Sequence, residues 1–217
     1  MLKKYWIKCP ICNGKTRVQV FHNTVLKDFP LFLFRRKDIK MKRLPKYTPA
    51  EVRNDPYGFT YKEMSEVIGE NEAKALYEEL YKQLPRKKNL SMLVKNICKS
   101  SDTEKYVYEL KDNKYIETVF IKRRDGGTVC VSTQVGCPVG CIFCESGRNG
   151  FVRNLTSSEI VQQIILLRRK VNRIVFMGMG EPLFNYDNLI KAIHILRDRY
   201  GLNFPTDGIT ISTVGPV

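Results

Sequence analysis

The sequence predicts an α/β protein whose carboxyl-terminal half is a partial parallel (β/α) barrel of three β/α units, preceded by a small α+β accessory region. Three observations predict it. From residue 128 onward the apolar period switches repeatedly between two and 3.6. The helix-start signature Thr156-Ser157-Ser158-Glu159 stands between two strand-like runs. The resulting order, strand–helix–strand–helix–strand, is that of parallel crossovers.

Taken in order, residues 1–34 form a cysteine-rich unit. Cys9-Pro10-Ile11-Cys12 precedes the turn signal Asn13-Gly14, and Thr16–Val20 alternates like a short strand. Residues 35–57 read as a basic linker; 35–46 alone carries seven positive charges and one negative. Pro45, Pro49 and Pro56 predict irregular chain over 44–58. Residues 58–104 read as a helical accessory region. Helices are expected over 60–68 and 71–83, the second with Leu76, Tyr77, Leu80, Tyr81 and Leu84 on one face and Pro85 as its stop. A further short helix is expected over 90–98.

Residues 105–217 read as the core. Strands Tyr106–Leu110 and Tyr115–Ile121 flank a turn at Asp112-Asn113, and Gly126-Gly127 turns into a third strand, Thr128–Gln134. A helix from Thr156 to Lys170, a strand over Arg173–Met177, a helix over Asp187–Arg199 and a strand over Gly208–Ser212 complete the pattern. Three strands do not close a barrel. The last strand is therefore expected to lack a neighbour, and the chain reads as truncated at its carboxyl end.

Composition bounds the function. Hydrophobic residues make up 43% of the 217, enough for a packed core. The longest apolar run, Ile160–Leu167, is broken by Gln162 and Gln163 and is too short to span a bilayer. No secretion signal opens the chain, so a cytoplasmic protein without membrane contact is expected. Net charge is +15, and residues 1–50 hold 13 Lys/Arg against Asp28 and Asp38. Such a balance attracts polyanions, RNA first among them. Five of the seven cysteines fall into two tight clusters, which in a cytosolic chain points to metal ligation rather than disulfides.

The chemistry is carried by Cys137-Pro138-Val139-Gly140-Cys141-Ile142-Phe143-Cys144, a Cys-x3-Cys-x2-Cys spacing in a loop after a strand. Structural zinc takes four protein ligands, and no fourth cysteine or histidine stands nearby. Three thiolates instead suit three irons of a [4Fe–4S] cluster, leaving the fourth iron open for S-adenosylmethionine (SAM). Gly136 and Gly140 give the backbone room to wrap it.

Four motifs in order resemble the RlmN/Cfr family of radical-SAM 23S rRNA adenine methyltransferases: Cys130-Val131-Ser132-Thr133-Gln134-Val135-Gly136-Cys137 through Cys144, Gly150–Thr156, Gly178-Met179-Gly180-Glu181-Pro182 and Ile211-Ser212-Thr213-Val214-Gly215. The resemblance covers 100–217 and, more loosely, 58–100. It implies a radical-SAM partial barrel that methylates an adenine ring carbon through a 5′-deoxyadenosyl radical. The implied cluster ligands are Cys137, Cys141 and Cys144; Gly180, Glu181 and Ser212 are implied to bind SAM. Glu117 matches the family's proton acceptor, and Cys130 the cysteine that resolves a covalent RNA–protein intermediate. The implied partners are 23S rRNA, by extension tRNA, and an electron donor such as flavodoxin or ferredoxin. Oligomeric state is left open.

The chain departs from the family in two places. Glu145-Ser146-Gly147 follows the third cysteine where known members carry a small residue, Thr and Gly, and no cysteine follows Cys144 to carry the methyl group. Two other readings follow: a radical-SAM enzyme with a non-RNA substrate, or an inactive fusion fragment. Fusion is suggested by residues 6–32, which resemble the cysteine-rich KTR family but have Leu33-Phe34-Arg35-Arg36 where that family has a second cysteine pair. Met41 then stands as a vestigial start, and Cys9 and Cys12 as half a zinc site. The two histidines, His22 and His194, are expected to be non-catalytic.

Overall fold

The computed structural model describes residues 47–82, 90–148 and 150–215 with their side chains, and residues 3–8 and 15–20 as backbone strands. Cys9, Cys12, His22, Met41 and the basic stretch 35–46 lie outside the described residues.

Helices begin where capping boxes place them. Thr48 and Glu51 open α1 (Pro49–Asn54), Thr60 and Glu63 open α2 (Tyr61–Ile68), and α3 runs Glu70–Lys82. The expectation of irregular chain over 44–58 is corrected at α1. Pro49 sits in the first turn, where its missing N–H costs nothing, so the proline starts the helix instead of preventing it.

The expected helix over 90–98 is also corrected: Met92–Lys99 is a strand, β3. It pairs antiparallel with β4 (Thr103–Leu110), with a bulge between Val94 and Asn96. The backbone groups of so short an apolar segment are better satisfied by a neighbouring strand than by a marginal helix. β4 pairs with β5 (Tyr115–Arg123), and β5 with β6 (Gly126–Cys130), both antiparallel. The expected strand 128–134 thus divides, because Gln134–Gly136 leaves the main sheet as β7 and pairs with β8 (Phe151–Asn154).

The β/α alternation follows. Between β6 and β9 (Val171–Phe176) runs α4 (Ser157–Ile165); between β9 and β10 (Ile209–Thr213) runs α5 (Tyr186–Arg197). α4 stops five residues short of the expected Lys170, as tightened bonds from Leu167 and Arg168 back to Ile164 and Ile165 lead into Arg168 at φ +52°. β6, β9 and β10 are parallel neighbours, as a partial barrel requires. One expectation of that reading is overturned. The outer edge of β10 is taken by β2 (Lys15–Val20), parallel to it from Thr210↔Arg17 to Thr213↔Val20, with β1 (Lys3–Lys8) completing an antiparallel hairpin. A bare edge presents a row of unpaired N–H and C=O groups, and a strand distant in sequence covers it.

One face of the sheet packs on α4 and α5. Ile116, Phe120, Val129, Ile174, Phe176 and Ile209 are buried there against Ile160, Ile164, Leu189 and Leu196. Because side chains alternate along a strand, Glu117, Val119, Cys130, Val175 and Ser212 stand on the other face. Among the described residues no helix is long and apolar enough to cross a membrane.

Candidate active site at the ends of the parallel strands

Of the sequence-predicted residues, Glu117, Cys130 and Ser212 stand on one face of the sheet, and the cysteine loop and the loop carrying Gly180 and Glu181 follow β7 and β9. Val119 and Cys130 are register partners, so Glu117 on β5 lies one diagonal step from Cys130 on β6. Cys130 is in turn the register partner of Val175 on β9. Burial pushes the Cys130 thiol up, so it is protonated at neutral pH. Glu117 is about half exposed and pairs with Lys105 at 2.9 Å.

Cys137 follows β7 directly. Its N–H bonds to Gly150 O at 3.1 Å, closing the base of the cysteine loop, and Cys144 N–H turns back to Cys141 O at 3.0 Å. Gly136 has φ +73°, and a Cβ there would lie 1.9 Å from Gly150 O, so only glycine permits this base. All three cysteines are free and partly buried. Ile142 and Phe143 between them are 99% and 87% exposed, so the loop presents its apolar residues outward instead of packing them. Burial raises the Cys137 thiol, and the neighbouring Cys144 and Cys141 add to it. Among the described residues no three His, Cys, Asp or Glu side chains converge tightly enough to hold a lone metal ion. The three thiols are free and lie on one loop, with its base fixed and its tip open. Glu145, the departure from the family, opens a short turn and pairs with Arg148 at 3.1 Å on the surface.

The second loop, Met177–Asn185, follows β9 and is built from buried polar contacts. Glu181 is 3% exposed. Its carboxylate accepts from Thr213 Oγ1 at 2.6 Å, Val214 N–H at 3.0 Å and Leu183 N–H at 3.0 Å. Gln134 Oε1 accepts from Glu181 N–H at 2.8 Å, and Gln134 Nε2 donates to Asn154 at 2.8 Å. Asn185 Nδ2 donates to Thr133 O and Leu155 O, each at 2.7 Å. Gly180 has φ +100°, and a Cβ on it would press within 2.8 Å of Gln134.

Gln134, Asn154, Gln163, Asn185 and Thr213 were missed in the sequence as site-building residues. The one available signal was polarity inside apolar runs. Gln163, which breaks the run 160–167, is fully buried and bonds Thr118 Oγ1, Ser132 N–H and Ser132 O. His194 lies in α5, where burial lowers its pKa, and it takes no part in the site.

Comparison with known proteins places this geometry. Residues 131–217 match the radical SAM superfamily, and residues 4–48 match the cysteine-rich KTR family. A probable RNA methyltransferase of Rhodopseudomonas palustris (strain BisB5) is 58% identical over 113 residues, 52% of this chain and 32% of the relative. A probable dual-specificity RNA methyltransferase RlmN of Thermotoga sp. (strain RQ2) is 50% identical over 130 residues, 58% of this chain and 38% of its own length. Another, of Pseudothermotoga lettingae, is 42% identical over 72% of this chain and 45% of the relative. The chain thus spans less than half the length of these relatives. Among solved structures, a radical SAM methyltransferase from Sphaerobacter thermophilus superposes with a TM-score of 0.68 at 32% identity, covering 73% of this chain and 56% of that one. The cofactors that go with this superfamily are a [4Fe–4S] cluster and SAM. The chain therefore joins a segment that matches the cysteine-rich KTR family to an RlmN-like segment, of which residues 131–217 match the radical SAM superfamily.

Proposed function

We propose that this chain carries the cofactor-binding part of a radical-SAM RNA methyltransferase that modifies an adenine ring carbon of 23S rRNA. In this reading Cys137, Cys141 and Cys144 ligate the cluster, and Gly180, Glu181 and Ser212 hold SAM. When bound, the cluster and SAM together supply one-electron cleavage of the sulfonium, fed by an external electron donor.

The chain's own residues do the rest. A carboxylate has about four acceptor sites, and Glu181 uses three on its own chain, so it is fixed in place with one left for an ammonium group. Gly180 lets the backbone approach closely. Glu117, half exposed, is available to take a proton from the substrate ring, and Cys130 lies on the same face to resolve a covalent intermediate.

The observation that carries this reading is placement. Glu117, Cys130 and Ser212 share one face of the sheet on β5, β6 and β10, and the cysteine loop and the 177–185 loop follow β7 and β9. The test is anaerobic reconstitution of the chain with iron and sulfide, followed by SAM and a strong reductant. Release of 5′-deoxyadenosine is expected. A protein that binds one zinc and no acid-labile sulfide sinks the proposal. Release that proceeds with a peptide or small-molecule acceptor and never with RNA sinks the RNA part alone.

A further inference from the structure

The 177–185 loop of the proposed site is joined to β5 through a buried serine. Ser132 is fully buried just beyond β6. Its hydroxyl donates to Glu117 O at 2.6 Å and accepts from Met179 N–H at 3.0 Å. It thus links the strand that carries Glu117 to the loop that carries Gly180 and Glu181. Its own position is clamped from the opposite side. Gln163 of α4 accepts from Ser132 N–H at 2.8 Å and donates to Ser132 O at 3.0 Å, while Thr118, the next residue after Glu117, donates to the same Gln163 oxygen at 2.7 Å. The loop comes close enough for this only because residue 178 is glycine. A Cβ on Gly178 would lie 2.8 Å from both the N and Oγ of Ser132.

The geometry points to Ser132 as a positioning residue, which sets the spacing between Glu117 and the SAM-binding loop while touching neither substrate nor cofactor. This rests on the proposed roles of Glu117 and the 177–185 loop. The physical reason is the cost of an unmet bond. Met179 N–H has the Ser132 hydroxyl as its acceptor, and in a buried setting it does not drift to another. Backbone bonds from Thr133 and Gln134 to Met179 O fix the other side of the same peptide chain. Removal of the hydroxyl frees the N–H of the loop while leaving its C=O tied, so the loop pivots instead of detaching.

The test has one arm on the wild-type chain and one on Ser132→Ala. In the wild type, amide exchange at Met179 is expected to be as slow as at Val131, whose N–H lies in the sheet; rapid exchange at Met179 overturns the proposal whatever the variant does. In Ser132→Ala, Met179 exchange is expected to accelerate at least tenfold with Val131 unchanged. S-adenosylhomocysteine, a probe that cannot be cleaved, is expected to bind the reconstituted variant about tenfold more weakly by calorimetry. Unchanged Met179 exchange, or unchanged affinity with accelerated exchange, overturns the positioning role. If the wild type itself binds no S-adenosylhomocysteine, the functional reading fails, and the exchange arms still decide whether Ser132 holds the loop.

Discussion

The cysteine loop follows β7 and the 177–185 loop follows β9, and the two are held in opposite ways. The 177–185 loop buries Glu181, Pro182 and Asn185 and is cross-tied by side chains from β7, β8 and β10. The cysteine loop is held mainly by its own backbone turns and by Cys137 N–H to Gly150 O, and it leaves Ile142 and Phe143 in solvent. The contrast shows where each loop's order comes from. The first is organised by the fold, through acceptors and donors that would otherwise be unpaired. The second is organised at its base by the fold, through Cys137 N–H to Gly150 O, while its tip is open.

The largest effect that would break this contrast is at the thiols. Replacement of any one of Cys137, Cys141 or Cys144 by alanine is expected to abolish cluster incorporation, read as loss of visible absorbance and acid-labile sulfide, while the unfolding midpoint of the cluster-free chain stays where it was. A large drop in that midpoint would mean the loop is part of the scaffold after all.

Glu181→Ala is expected to do the reverse. It strands Thr213, Val214 and Leu183 donors in a buried setting and is expected to cost about 3 kcal/mol or more in urea unfolding. Gln163→Leu, similar in size but without the amide, unpairs Thr118 and both backbone groups of Ser132; about 2–4 kcal/mol is expected by the same measurement.

A smaller effect separates fold from site by pH. Glu104 is buried beside Tyr106, which donates at 2.6 Å, and Arg169, which donates twice, and these hold its carboxyl down to about 2. Its folded pKa lies below its ordinary value, so the stability it contributes is complete above about 4.5 and is lost as pH falls through about 2. Glu104→Gln is expected to flatten that acid limb in a urea series, with SAM affinity at neutral pH unchanged. The smallest effect is at Lys105→Met. The Lys105–Glu117 pair is 43% and 47% exposed, so its loss is expected to move stability by under about 1 kcal/mol.

Much of this was legible in the sequence because it is written locally. The Cys137–Cys144 spacing, the Thr156–Glu159 capping box and the alternation along β5 each depend on residues a few positions apart. The strand at Met92–Lys99 was misread because Leu93, Val94 and Ile97 suit either period, and the deciding bonds come from β4. Gln162 and Gln163 looked like interruptions of an apolar run, although they are buried anchors for Ser91 and Ser132.

The sequence alone determined which atoms are available: three thiols on one short loop, glycines where the chain must turn left-handed, and helix starts that their own caps enforce. Only the tertiary structure decided which polar groups meet. Thr213 reaches Glu181 across 32 residues, Thr118 reaches Gln163 across 45, and β2 takes the edge of β10 from the far end of the chain. The reason is that a hydrophobic period specifies which face turns inward, whereas a buried donor is satisfied by whichever acceptor the packed fold brings within 3 Å of it, and sequence distance does not enter that choice.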